Sequence, residues 1–178
     1  MNKEDEIRER RELRYLLLCL LIAFATAKLL STFVIQFTVV HGNSMEPTVL
    51  ESDFLLVGKL HYHFRDPERF EVIVLSKDGK RDLIKRVIGL PGENVRIEKG
   101  DIYINGEILH ENYGLDPMDP KAEPVEITLA SDEFFVLGDN RLVSLDSRFS
   151  SVGPVKRSEI LGKALVRVYP FHKINKIA

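Results

Sequence analysis

The chain has 178 residues, of which 44% are hydrophobic and 29% charged, with a formal net charge of −2. It is long enough for one domain with a sizeable core and too short to expect two, and no broad basic excess exists to neutralise phosphates, so nucleic acid is not an expected partner. A single cysteine, Cys19, excludes a disulfide framework and a cysteine-based metal site, and the five histidines show no ligand spacing, so no metal or cofactor is expected.

The first element in chain order is a membrane span. Residues 15–37 read YLLLCLLIAFATAKLLSTFVIQF, a run of 23 residues with one charge, Lys28. That exceeds the ~20 residues that cross a bilayer core as a helix. The thirteen Leu, Ile, Val and Phe side chains in the run favour insertion by roughly 4–8 kcal/mol, against about 3 kcal/mol for Lys28. Insertion wins. Lys3, Arg8, Arg10, Arg11 and Arg14 precede the span, while the next lysine or arginine after it is Lys59. The positive-inside bias therefore keeps the N-terminus in the cytoplasm. The alternative is a cleaved secretory signal, because Ala25-Thr26-Ala27 imitates a cleavage site; against it, the apolar stretch resumes at Leu29. The expected organisation is a cytoplasmic tail over 1–14, an anchor over 15–37, and a domain over 38–178 on the outer face of the cell membrane.

Beyond the span the period changes from helical to alternating. Strands are expected over 53–57, 71–76, 81–88, 94–98, 101–105, 107–109, 133–137 and 160–169, separated by turn signals such as Gly89-Leu90-Pro91-Gly92 and the Asn105-Gly106 hairpin. His61 and His63 alternate as strand or turn neighbours would. Residues 111–125, rich in Pro and acids, read as a loop. Many short strands at this spacing predict a mainly β domain, an antiparallel barrel or sandwich.

Three segments hold polar residues where strand logic does not require them: 41–48 (HGNSMEPT), 83–92 (LIKRVIGLPG) and 138–148 (GDNRLVSLDSR). Each alone has a plain reading. Ser44 is a turn serine, Lys85 a strand lysine that snorkels to water, and the third segment a turn braced by an Asp–Arg pair. Together they supply a hydroxyl nucleophile, a lysine in apolar company and a polar loop that could orient it. A serine attacks a peptide carbonyl only if a base takes its proton. A lysine becomes that base when burial brings its pKa from ~10.4 toward 7–8, and Leu83, Ile84, Val87 and Ile88 are suited to do so.

The three segments resemble, in order and spacing, the signature boxes of type I signal peptidases, and the resemblance covers almost the whole chain. It implies a membrane-bound serine endopeptidase that removes signal peptides from exported preproteins after small residues, at A-x-A sites. By that resemblance Ser44 is the nucleophile and Lys85 the general base. Ser144 would hydrogen-bond the lysine amine, Asp146 and Arg148 would brace the loop as a salt bridge, and Asp139 and Arg141 would shape it. Gly42 stands where part of the family has a serine donor for the oxyanion, so the hole would rest on backbone N–H groups. Val143 stands where asparagine commonly precedes the loop serine. Preproteins would bind as an added strand between 38–42 and 82–84, with Val40, Met45, Val49, Leu83 and Ile84 lining small pockets, although the same side chains could be plain core.

Rival readings are few. His41, three residues before Ser44, could serve as base, as in the histidine-bearing eukaryotic branch. A self-cleaving repressor-type Ser–Lys protease would lack the anchor. A tethered β module without chemistry would be expected to lack the serine or the lysine, and both are present.

Overall fold

The structure, a computed structural model, describes residues 3–77, 79, 81–114 and 118–177. Helix α1 spans Lys3–Phe33, and its 26 residues from Arg8 to Phe33 are apolar enough to cross a membrane, with none of the window buried against the rest of the chain. The helix stops where the sequence turns β-branched. Val34 makes the last backbone bond back to Leu30, and Ile35–Val39 then runs directly on as strand β1. Lys59 closes the end, its ammonium donating to the carbonyls of Ser31 and Thr32 at 3.4 Å each, where the helix dipole favours a cation. The apolar run 15–37 thus divides: most of it is helix, and its last residues, including Phe37, open a sheet.

The rest is two antiparallel sheets. The larger contains β1, β2 (Phe54–Gly58), β3 (Val72–Lys77), β4 (Arg81–Gly89), β9 (Glu133–Leu137), β10 (Val155–Lys156), β11 (Ile160–Tyr169) and β12 (Asn175–Lys176). Its order is β1-β2-β11-β3-β4-β9-β10, with β12 on the far part of β11. The smaller has the order β7-β6-β5-β8, from β5 (Asn94–Glu98), β6 (Asp101–Ile104), β7 (Glu107–Ile108) and β8 (Val125–Thr128). The sheets do not close on themselves, so of the two architectures expected, the sandwich-like one is found.

Their packing follows from the strand patterns. In β9, Phe134 and Val136 enter one buried cluster with Ile73, Leu75 and Val87, while Phe135 and Leu137 enter a second with Ile88, Val95, Ile97 and Ile102. A strand buried on both faces reads as an unbroken apolar run, which is why 133–137 shows no alternation. The second cluster lies between the sheets. There Gly89 admits no side chain: a Cβ would lie 2.5 Å from Val95 Cγ2 and 2.9 Å from the Cβ of Phe135.

Two local expectations are corrected, and two short strands are added. His61–Phe64 forms a short helical turn, α2, rather than strand neighbours, because the Tyr62 and His63 amides bond back to Lys59 and Leu60. The loop expected over 111–125 ends in β8, where Val125 and Ile127 pack on the second cluster. Leu115, Asp116 and Pro117 of that loop lie outside the described residues. The two-residue strands β10 and β12 are too short to leave a sequence signal.

Candidate active site

Strand β4 brings Lys85 inside. Its register on β3 places Lys85 opposite Ile73, with Val74 opposite Ile84 and Leu75 opposite Leu83, and Lys85 is only 2% exposed. Burial among these side chains lowers its ammonium pKa to about 8, against the opposing pull of the Asp146 and Asp139 carboxylates, with Arg148 lowering it further. Ser44 follows β1 by a short turn, and Lys85 Nζ lies 2.8 Å from its Oγ. The Ser44 amide makes no hydrogen bond among the described residues. Just before it, Gly42 has φ +85°, and a Cβ there would meet nothing within 4 Å. The approach to Ser44 is therefore open, and the backbone geometry there is one that glycine adopts freely.

The loop after β9 closes the other side. The Asn140 amide donates to the Ser44 carbonyl at 3.0 Å, and Gly138 lies so close that a Cβ would sit 2.4 Å from that carbonyl oxygen and 2.2 Å from Ser144 Oγ. Asp146 accepts from the Gly138 amide at 3.0 Å and holds Arg148 through two bonds of 2.8 and 2.9 Å. Arg148 in turn donates to the Ser144 carbonyl at 3.2 Å. The expected brace between Asp146 and Arg148 is thus formed. The expected bond between Ser144 and Lys85 is not: the lysine donates to Ser44, and the buried Ser144 Oγ has no hydrogen-bond partner among the described residues. Its backbone, tied to Asn140 and Arg148, holds the hydroxyl in place without using it.

Asp139 and Arg141 do more than shape this loop. Arg86, beside Lys85 on β4, donates to Asp139 at 2.8 and 2.7 Å, and both side chains are fully buried. Thr48, from the Ser44 segment, donates to the same carboxylate at 2.5 Å. One ion pair therefore ties together all three segments singled out in the sequence. Arg86 also donates to the Phe70 carbonyl at 2.7 Å and stacks on the Tyr113 ring at 3.7 Å. Arg141 reaches back to the Gly138 carbonyl and pairs with Glu111, which ties the 111–114 stretch to the loop. Sequence reasoning missed Arg86 and Thr48. The available signal was a second basic residue, next to Lys85, with Leu83, Ile84, Val87 and Ile88 flanking the pair, which requires a buried acid.

A cleft of about 790 Å³ leads to Ser44, walled by residues 37–42 on one side and by Gly79 and residues 82–85 on the other. Val40, Met45, Leu83 and Ile84 line it. Val49 does not; it is fully buried in a cluster with Val40, Met45 and Ile177, against which Ile84 packs. The exposed His41 lies on the cleft wall, while the side chain bonded to Ser44 is Lys85.

The model of the family described as signal peptidase, peptidase S26, matches residues 13–169. The chain belongs to the signal peptidase family. It is 40% identical over 81% of its length to a probable signal peptidase I-2 of Synechocystis, covering 67% of that protein. It is 38% identical over 96% of its length to signal peptidase I of Bacillus caldolyticus, covering 96% of that protein. A crystal structure of a signal peptidase I from Enterococcus faecalis aligns with a TM-score of 0.48 at 31% identity, over 56% of this chain and 97% of that one. The chain is thus a peptide-bond hydrolase, and its apolar helix α1 is consistent with the membrane anchoring of signal peptidases.

Proposed function

We propose that this signal peptidase cuts preproteins after small residues, at A-x-A sites, with Ser44 as nucleophile and Lys85 as general base. The single observation that carries the reading is the 2.8 Å contact between Lys85 Nζ and Ser44 Oγ. In the resting site the ammonium donates to the hydroxyl. Once the lysine is neutral, the bond reverses and the hydroxyl donates to the amine lone pair. With a pKa of about 8, roughly a tenth of the lysines are neutral at pH 7.

The chemistry then proceeds in two halves. Ser44 Oγ attacks the scissile carbonyl carbon as its proton passes to Lys85 Nζ, and the oxyanion takes the unused Ser44 N–H. Collapse breaks the C–N bond, and the Lys85 ammonium returns its proton to the leaving amine. Water, deprotonated by the now neutral lysine, attacks the acyl-enzyme and restores Ser44. Ser144, whose hydroxyl has no partner among the described residues, is poised to accept an N–H of the lysine amine once Ser44 is acylated. Asp146 and Arg148 hold that hydroxyl in place.

The cleft supports the substrate class. Among the described residues β1 pairs only with β2, and residues 82–84 pair only with β3, so two free strand edges face the space that leads to Ser44. A peptide added there gains backbone hydrogen bonds from both walls. Val40, Met45, Leu83 and Ile84 line that space, and subsites formed by them would admit the small side chains of an A-x-A site, while Val49 acts from behind as core. β1 runs straight out of α1, so Ser44 lies eleven residues beyond the helix end, no more than about 40 Å along an extended chain. That suits preproteins whose cleavage site emerges beside their own apolar helix, with α1 in the cell membrane, its N-terminus cytoplasmic and the β domain on the outer face.

The test is cleavage of a preprotein with an A-x-A site, in detergent, by wild type and Ser44→Ala. Cleavage after the second alanine by the wild type alone is expected. Cleavage by a folded Ser44→Ala protein would remove Ser44 from the mechanism.

A further inference from the structure

The loop that closes the catalytic centre has an apolar outer face. Between Asn140 and Arg148 the buried residues alternate with exposed ones: Ser144 is 3% and Asp146 0% exposed, while Leu142 is 60%, Val143 54% and Leu145 52% exposed. This is not a loose tip. Val143 and Ser144 both bond back to the Asn140 carbonyl, and Asn140 itself bonds the Ser44 carbonyl at 3.0 Å. Three apolar side chains are therefore held on a braced turn that abuts the nucleophile, and none of them lines the cleft on the other side of Ser44.

The position and the size of the face decide what covers it. Residues of a bound peptide before the cut occupy the cleft between 37–42 and 82–85, so residues after the cut must leave Ser44 on the side of this loop. The exposed area of the three side chains is on the order of 300 Å², well short of the ~800 Å² per partner of a stable dimer and adequate for two or three residues of extended chain.

We infer that Leu142, Val143 and Leu145 form the subsite for the first residues of the mature protein, and that this subsite favours preproteins with apolar side chains at the second and third residues after the cut. The inference rests on the peptidase reading above and adds to it a selection on the mature side, which complements the small-residue selection in the cleft. The carrying chemistry is apolar burial, and differences of this kind discriminate by about tenfold.

The experiment uses two soluble peptides, identical through an A-x-A site and differing only at the second and third residues after it, Leu-Val in one and Ser-Ser in the other. The full chain in detergent is expected to cut the Leu-Val peptide with about tenfold higher kcat/KM. In Leu142→Ser/Val143→Ser/Leu145→Ser that ratio should fall to within about twofold, through loss on the Leu-Val peptide, and Leu142→Ser alone should lower it by about threefold. A wild-type ratio near one overturns the inference. So does an equal fall on both peptides with the ratio kept, which would mark the loop as support for Ser144 alone. A preference that appears only in liposomes would assign the face to the bilayer. If the wild type cuts neither peptide nor an A-x-A preprotein, the peptidase reading itself fails.

Discussion

Lys85 Nζ stands 2.8 Å from Ser44 Oγ while its β-strand partner across the sheet is Ile73, a residue with no exposed surface. The two neighbours explain each other. The apolar register removes water from the amine and lowers its pKa, and the serine is the group that a neutral amine can use.

The pH dependence follows directly. With Lys85 at about 8, the catalytically competent amine is protonated below that pH and free above it. kcat/KM should rise through an apparent pKa near 8 and level off above it, measured on a peptide substrate without titrating groups of its own. A profile that does not change through pH 8 would remove Lys85 from the role of base.

The same burial is a stability cost. The folded pKa is about 8 and the unfolded one is about 10.4. Between those values the unfolded chain binds more protons, so stability rises with pH through that window and is lowest below 8. Lys85→Met removes the penalty. It should abolish cleavage and stabilise the domain by about 2–3 kcal/mol at pH 7, with the gain shrinking toward pH 10. Denaturant unfolding at the two pH values measures it; equal stability at pH 7 would mean that the amine is not desolvated in solution.

Most strands of the β domain, the apolar helix and the three polar segments could be read from the sequence because each rests on local information: an unbroken apolar run, period-two alternation, or a turn residue at a fixed offset. What escaped the reading depended on partners distant in the chain. Arg86 looked like the flank of Lys85, and its role is visible only once Asp139, 53 residues later, is opposite it. The Ser144 hydroxyl was expected on the lysine, but the depth at which β4 buries Lys85 and the turn that brings Ser44 to it are tertiary outcomes. The resemblance put Val49 in the pocket lining with plain core as the alternative, and the structure places it in the core behind the cleft.

The Arg86–Asp139 pair should behave as a lock on that tertiary arrangement. Both side chains are wholly buried, and the carboxylate is also held by Thr48. Removing one partner leaves an uncompensated buried charge, so Asp139→Ala should cost about 3–5 kcal/mol. The double variant Arg86→Met/Asp139→Leu should recover much of that stability while kcat stays depressed, because Thr48 and the Ser44 segment lose their tie to β4. A fall of less than 1 kcal/mol in Asp139→Ala, by urea unfolding, would show the pair to be dispensable.

A second buried network, away from the cleft, sets the acid limit of the fold. Burial alone would raise the Glu71 carboxyl, but hydrogen bonds from Arg65, Lys163 and Tyr62 outweigh it and hold the pKa at about 2. A depressed carboxylate contributes stability above its unfolded pKa, near 4.3, and loses it as pH falls toward the folded value. That contribution is about 3 kcal/mol at neutral pH. Glu71→Gln should therefore unfold at lower urea than wild type at pH 7, and the two midpoints should converge between pH 4 and pH 2. Because Glu71 joins α2 to β11 through Tyr62 and Lys163, and neither group lines the cleft, the variant should keep the pH profile of cleavage centred near 8. A shift of that profile would mean that the network reaches Lys85 through the sheet rather than serving stability alone.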